Sequence, residues 1–230
     1  MTIGIIVAMD KELNLLLPLL DDARQTQIDG TTYHIGDLGG HSVVAIKSGI
    51  GKVNSALSTH KLISHFAPDL VLNTGVAGGT GSEAGVLDVV VATEVAYHDV
   101  WCGPGTEPGQ AAGCPRFFRP APQVTSLKCL APSDRIHHGL IASGDIFVAD
   151  PADVARILNL YPEALAVDME SAAIAHACHL HDTSFACIRV VSDTPGQADN
   201  ISQYDNFWDD APRQTFEIVA SILKQLPVEK

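Results

Sequence analysis

VVAIKSGIGKVNSALSTHKLISHFAPDLVLNTGVAGG, residues 43–79, sets the pattern for the whole chain. An apolar run ends in the Gly-rich SGIGK, a helical segment follows over about 53–66, and a second apolar run at 70–73 meets another glycine cluster, GVAGGTG at 75–81. Short, continuous apolar runs suit strands buried on both faces. Glycines at their ends supply turns, because they accept positive φ at no steric cost. The stretch therefore predicts strand, turn, helix, strand and turn.

The same logic extends outward. IGIIVA (3–8) predicts a buried strand, and 9–20 carries apolar residues at helical spacing, with Asp10 and Glu12 in the first turn, where the helix dipole favours acids. The Gly-interrupted, alternating stretch 26–44 predicts a hairpin or meander. Downstream, GVLDVVVATEVAYHD (85–99) is β-rich, 101–123 is a Gly/Pro-rich loop, and GLIASGD (139–145) and SFACIRVVSD (184–193) are strands. Helical periodicity covers 167–181 and 214–226. This alternation predicts the α/β class: a three-layer α/β/α single domain over 1–230, around a mixed, twisted central sheet. In such sheets ligands bind beyond the carboxyl ends of strands. The positions to interrogate are thus 8–12, 48–52, 73–79, 143–148 and 192–193.

Composition narrows the function. With 230 residues, 46% hydrophobic and 18% charged, the chain suits one well-buried core. Fourteen Lys+Arg against 27 Asp+Glu leave a net charge of -13, which repels phosphate backbones and anionic lipid, so neither nucleic acid nor a membrane surface is an expected partner. The N-terminal apolar run is too short for a signal sequence, and no run is long enough for a spanning helix. Cys102, Cys114, Cys129, Cys178 and Cys187 are odd in number and lack C-x-x-C spacing, which predicts free thiols and a cytoplasmic location.

The glycine cluster at 75–81 matches neither G-x-G-x-x-G nor the P-loop pattern, and its first reading is a tight turn that could also bring backbone close to a ligand. His176, His179, His181 and the His137-His138 pair lack carboxylates or cysteines at zinc spacing, so no metal is expected, and the helix-end histidines are read as complements to a dipole. The acids say more. Glu12, Glu170 and Asp193 each fit capping or solvation when taken alone. Together, with Phe147 and Met169 nearby, they suit an N-glycosidic bond: one carboxylate activates water while a protonated acid relieves the departing base.

These positions also carry ordered motifs: IGIIVAMDKE (3–12), KSGIGKVN (47–54), NTGVAGG (73–79), AYHD (96–99), ASGDIFV (142–148), AVDMESAAIAHAC (166–178) and RVVSD (189–193). As a set they resemble the 5′-methylthioadenosine/S-adenosylhomocysteine nucleosidases, within the nucleoside phosphorylase-like fold. The resemblance implies that Glu12 is the base that activates water and Asp193 the acid that protonates adenine N7, with Ser192 and Arg189 in support. It implies that Phe147 stacks on the purine and the Val148 backbone reads its edge. Glu170 would hold the ribose hydroxyls with Met169 beneath the sugar, Gly78 would bring backbone close, and Ile50 would line the 5′ pocket. No cofactor is implied, the ligand is an adenine nucleoside, and the expected assembly is a homodimer. Three features differ from many relatives: Val76 in place of serine, Asp168 in place of glutamate, and a 100–109 loop without aromatics aimed at the 5′ pocket. The alternatives are cleavage of 6-amino-6-deoxyfutalosine, phosphorolysis, and a non-catalytic adenine-nucleoside-binding module.

Overall fold

β1 (Thr2–Val7) shows why a continuous apolar run is a strand with two buried faces. Ile3, Ile5 and Val7 point to one side, into a layer with Leu13 and Leu16 of α1 (Asp10–Leu16) and Phe216, Val219, Ile222 and Leu223 of α7 (Pro212–Gln225). Ile6 points to the other, into a layer with Leu62 of α2 (Lys52–Phe66) and Ile174 and Ala175 of α5 (Ser171–Leu180). Successive side chains of a strand alternate between faces, so one short run feeds two cores. The result is the expected three layers, helices on both faces of a mixed sheet. The computed structural model describes residues 1–81, 83–210 and 212–228.

Along the chain, β1 and α1 lead to a meander of β2 (Asp21–Ile28), β3 (Thr31–Leu38) and β4 (His41–Lys47), as the alternating pattern predicts. After α2 come β5 (Leu70–Gly79), β6 (Val89–Tyr97), the short α3 (Pro122–Thr125) and β7 (Ile136–Ser143). Then follow α4 (Pro151–Leu160), β8 (Ala164–Asp168), α5, β9 (Ser184–Asp193), α6 (Asn200–Asp210) and α7. Among the described residues the sheet has nine strands in the order β2-β3-β4-β1-β5-β8-β7-β6-β9. β9 also pairs with β5 in parallel, so β5, β8, β7, β6 and β9 close into a ring.

Several expectations need correction. The strand at 70–73 does not stop for a turn: β5 continues through the glycines to Gly79, because β9 pairs with it throughout and β8 takes over at Gly78 and Gly79. Helix α1 is shorter than the 9–20 periodicity, since Pro18 removes a donor and only a 3₁₀ turn, Leu17–Leu19, follows. The region 167–181 begins as strand β8, with α5 starting at Ser171. α4 was not anticipated, although Asp150-Pro151 is a start signal and the Asp150 side chain accepts from Ala152 N at 2.8 Å. Strands and helices do not alternate strictly, as β2–β4 and β5–β6 follow one another directly.

α2 sits close on the sheet because β1 offers a glycine there: a Cβ on Gly4 would come 2.7 Å from Leu62 Cδ2. Leu62 is fully buried. Leu62→Ala is expected to cost about 2–5 kcal/mol, read as a lower urea midpoint at unchanged slope.

Candidate active site

The sheet opens where β1 ends. β5 pairs with β1 as far as Ile6↔Asn73 and with β8 from Gly78, so between these points only β9, on its other edge, is paired with it among the described residues. Such a divergence of neighbouring strands makes a crevice at their carboxyl ends. Helix α1 begins there, and Glu12 in its first turn folds back into the gap: Oε2 accepts from Ala8 N at 2.8 Å and Met9 N at 3.0 Å, and Oε1 accepts from Val76 N at 3.0 Å. Gly75, at φ 148°, makes room, since a Cβ there would meet both the Glu12 carboxyl and the Arg189 guanidinium. Burial raises the Glu12 pKa, and the Arg189 charge and the three backbone N–H groups oppose that rise. All three contacts are donors, which suits the ionised form.

Arg189, on β9 and 1% exposed, forms the floor. Its Nε donates to Asp168 Oδ2 at 2.8 Å and its Nη2 to Asn73 Oδ1 at 2.9 Å, with Glu170 Oε2 at 3.7 Å. Asp168 also accepts from Ser171 N at 3.2 Å and Ser171 Oγ at 2.9 Å, so one carboxylate pairs with Arg189 and caps α5. The shorter aspartate in place of glutamate does both jobs. Glu170 Oε1 accepts from Gly51 N at 3.0 Å, tying β8–α5 to the start of α2. Burial pushes Glu170 up to about 7, the Arg189 charge draws it down, and Asp168 adds to the rise.

Asp193, the last residue of β9, is 3% exposed. Ser192 Oγ donates to its Oδ1 at 2.6 Å, and Asn200 Nδ2 donates to its Oδ2. Burial raises its pKa, while these two hydrogen bonds lower it. A buried acid with a raised pKa can carry a proton for delivery, as a general acid must.

One pocket brings most of the expected residues together. Glu12, Asp193, Ser192 and Glu170 line it, as do Ile50, Gly78, Phe147, Val148 and Met169. Arg189 does not line it but lies directly beneath its acids. Phe147 is half-exposed and Val148 is buried. Val76 contributes its backbone N–H, so the missing serine hydroxyl leaves the contact to Glu12 intact.

Residue reasoning missed Met9, Asn73, Pro195, Asn200 and Tyr204. Tyr204 lines the pocket from α6, its ring 5.8 Å from Phe147 and its OH 3.4 Å from Met9 Sδ. Tyr204, Phe207 and Trp208 are spaced as one helix face, a signal present in the sequence. The histidines are engaged elsewhere: His176 lies between Cys114 Sγ at 3.0 Å and Tyr97 OH at 3.2 Å, His137 meets Asp88 at 3.2 Å, and His138 meets the Leu130 carbonyl at 2.6 Å. Among the described residues no three His, Cys, Asp or Glu side chains converge as a metal site would require.

Comparison with known proteins agrees with this architecture. Residues 2–224 match the family model of the phosphorylase superfamily. The 5′-methylthioadenosine/S-adenosylhomocysteine nucleosidase of Bacillus thuringiensis (strain Al Hakam) is 38% identical, over 98% of this chain and 100% of the relative. The crystal structure of an S-adenosylhomocysteine nucleosidase from Streptococcus pyogenes, in complex with 5-methylthiotubericidin, superposes with a TM-score of 0.94 at 39% identity, covering 99% of this chain and 98% of that one. The S. pneumoniae 5′-methylthioadenosine/S-adenosylhomocysteine nucleosidase with the transition-state inhibitor MT-ImmA gives 0.92 at 39% identity, covering 99% and 100%. With a fold, a motif set and full-length relatives in agreement, the chain belongs to the phosphorylase superfamily and, within it, to the 5′-methylthioadenosine/S-adenosylhomocysteine nucleosidase family.

Proposed function

We propose that this chain, as one catalytic domain, hydrolyses the N-glycosidic bond of 5′-methylthioadenosine and/or S-adenosylhomocysteine, releasing adenine and the 5′-thioribose product. The observation that carries this reading is that Glu12 and Asp193, buried acids from separate elements, line one pocket. Glu12, ringed by donors, acts as base; Asp193, raised by burial, acts as acid. The C1′–N9 bond breaks with its electron pair leaving on the base, and Asp193 gives its proton to N7. Water bonds to C1′ as its proton passes to Glu12, and solvent restores both groups. Phe147 and Tyr204 offer faces and edges for the purine, Val148 its backbone, Glu170 a carboxyl for the ribose hydroxyls with Met169 beneath, and Ile50 a wall for the 5′ substituent.

Phosphorolysis fits less well. Arg189, the cation at this site, is sealed under the floor and already bonded to Asp168 and Asn73, and an ionised Glu12 repels phosphate. We also infer a homodimer, because Ile50 at the pocket, Val53 and Leu57 on α2 and Trp101 present exposed apolar surface. A reducing cytoplasm suits the five free thiols.

Products from methylthioadenosine, adenosylhomocysteine, adenosine and aminofutalosine, resolved by chromatography with and without phosphate, test the reading directly. Phosphate-independent adenine release from the first two is expected; a phosphate requirement overturns hydrolysis, and preference for aminofutalosine moves the substrate. Asp193→Asn is expected to lower kcat by about 10² or more with the fold and nucleoside binding retained, and Glu12→Gln likewise. The pH profile of kcat follows from the signs. The acid must hold its proton, so rate falls as pH rises through the raised Asp193 pKa; the base must be ionised, so rate falls as pH drops through that of Glu12. A bell whose alkaline limb lies above the ordinary aspartate value of about 3.9 is expected, and a rate still rising throughout the neutral and alkaline range rules out Asp193 as donor.

A further inference from the structure

Asn200 opens α6 and is 2% exposed. It does not line the pocket, so it reaches Asp193 without competing for the purine's place. Hydrogen bonds to the Asp193 carboxyl come from Ser192 at Oδ1 and from Asn200 Nδ2 at Oδ2. Asn200 Oδ1, on the other side of the same amide, is buried with no partner among the described residues. A bare buried carbonyl is unfavourable, which marks the N–H to Asp193 as the contact that sets the amide's orientation. The same side chain suits either state of the acid: Nδ2 serves the carboxylate, and a half-turn presents Oδ1 to a protonated oxygen.

The rest of α6 is fastened around this contact. Gln203 Oε1 accepts from Thr194 N at 2.8 Å, Tyr204 meets Met9 and Phe147, and Phe207 is buried against Val190. The amide is therefore placed by a docked helix.

We propose that Asn200 is a positioning residue for the proton donor: its amide N–H holds the Asp193 carboxyl and accommodates the negative charge left there as the proton passes to the departing base. This rests on the hydrolytic reading above. As the C1′–N9 electron pair moves to the base and N7 takes the proton, Asp193 becomes a carboxylate with Ser192 and Asn200 as its donors. The other ionisable groups that line the same pocket are Glu12 on α1, Asp168 and Glu170 at the β8–α5 junction and Tyr204 on α6, with Arg189 beneath Asp168 and Glu170. A donor lost from a buried carboxylate disfavours its charged form, so the acid becomes weaker and titrates at higher pH.

The experiment is adenine release across a pH series by wild type, Asn200→Ala, Asn200→Asp and, as a control on the exposed side of α6, Asn206→Ala. Asn200→Ala is expected to lower kcat roughly tenfold or more and move the alkaline limb up by roughly one pH unit, with KM changed less than about threefold. Asn200→Asp keeps the shape, removes the N–H and adds a negative charge, so the limb moves further in the same direction, and this variant decides the matter if the alanine protein does not fold. Asn206→Ala is expected to match wild type. Unchanged kcat and limb in the Asn200 variants overturn the proposal, as does a joint change in kcat and KM with the limb fixed, which marks loss of helix docking alone. Wild type that releases no adenine fails the hydrolytic reading instead.

Discussion

A single buried cation organises the pocket floor. Arg189 carries a full charge at 1% exposure, a placement that is strongly unfavourable unless carboxylates and carbonyls surround it. Asp168 and Glu170 at the β8–α5 junction and Asn73 on β5 do so, which brings two distant parts of the chain to the one guanidinium. Their fixed positions in turn set the start of α5, the Gly51 amide at the start of α2, and the end of the β1–β5 pairing. Removing the guanidinium would strand negative charges in the interior, so the site and the fold share this one requirement.

Much of this was legible in the sequence because it is local. IGIIVA reads as a doubly buried strand from its own residues, and the acids of the first turn of α1 are visible from dipole and periodicity alone. Ile50 and Val148 were found only because the motif set resembles a family; single-residue chemistry does not distinguish them from packing residues. What stayed hidden is non-local. Whether 75–79 is turn or strand depends on β9 and β8, which arrive more than 85 residues later in the chain, as do the closed ring and the pairing of Arg189 with Asp168. Asn200 and Tyr204 were hidden for a similar reason, since a polar, amphipathic segment does not show which of its side chains will meet residues brought in from other elements.

The glycines of β5 illustrate how backbone and chemistry are joined. Gly75 gives up side-chain packing so that Glu12 and Arg189 can approach the same strand from one side, and Gly78 does the same for Pro195 and Val167. A strand with side chains at those positions would keep its hydrogen bonds and lose its pocket.

The closure of five strands also decides where the molecule is vulnerable to other chains. With β9 bonded to both β6 and β5, the ring offers no unpaired rim, and among the described residues β2 is left as the sheet's open border. That border is written almost entirely in polar residues, Asp21, Asp22, Arg24, Gln25, Thr26 and Gln27, and an irregularity in register near its start, with Asp22 at φ 50°, breaks its flatness. Charge and a kink at a free strand oppose strand addition by a neighbour. The one border left open is thus a poor template for the strand of another molecule.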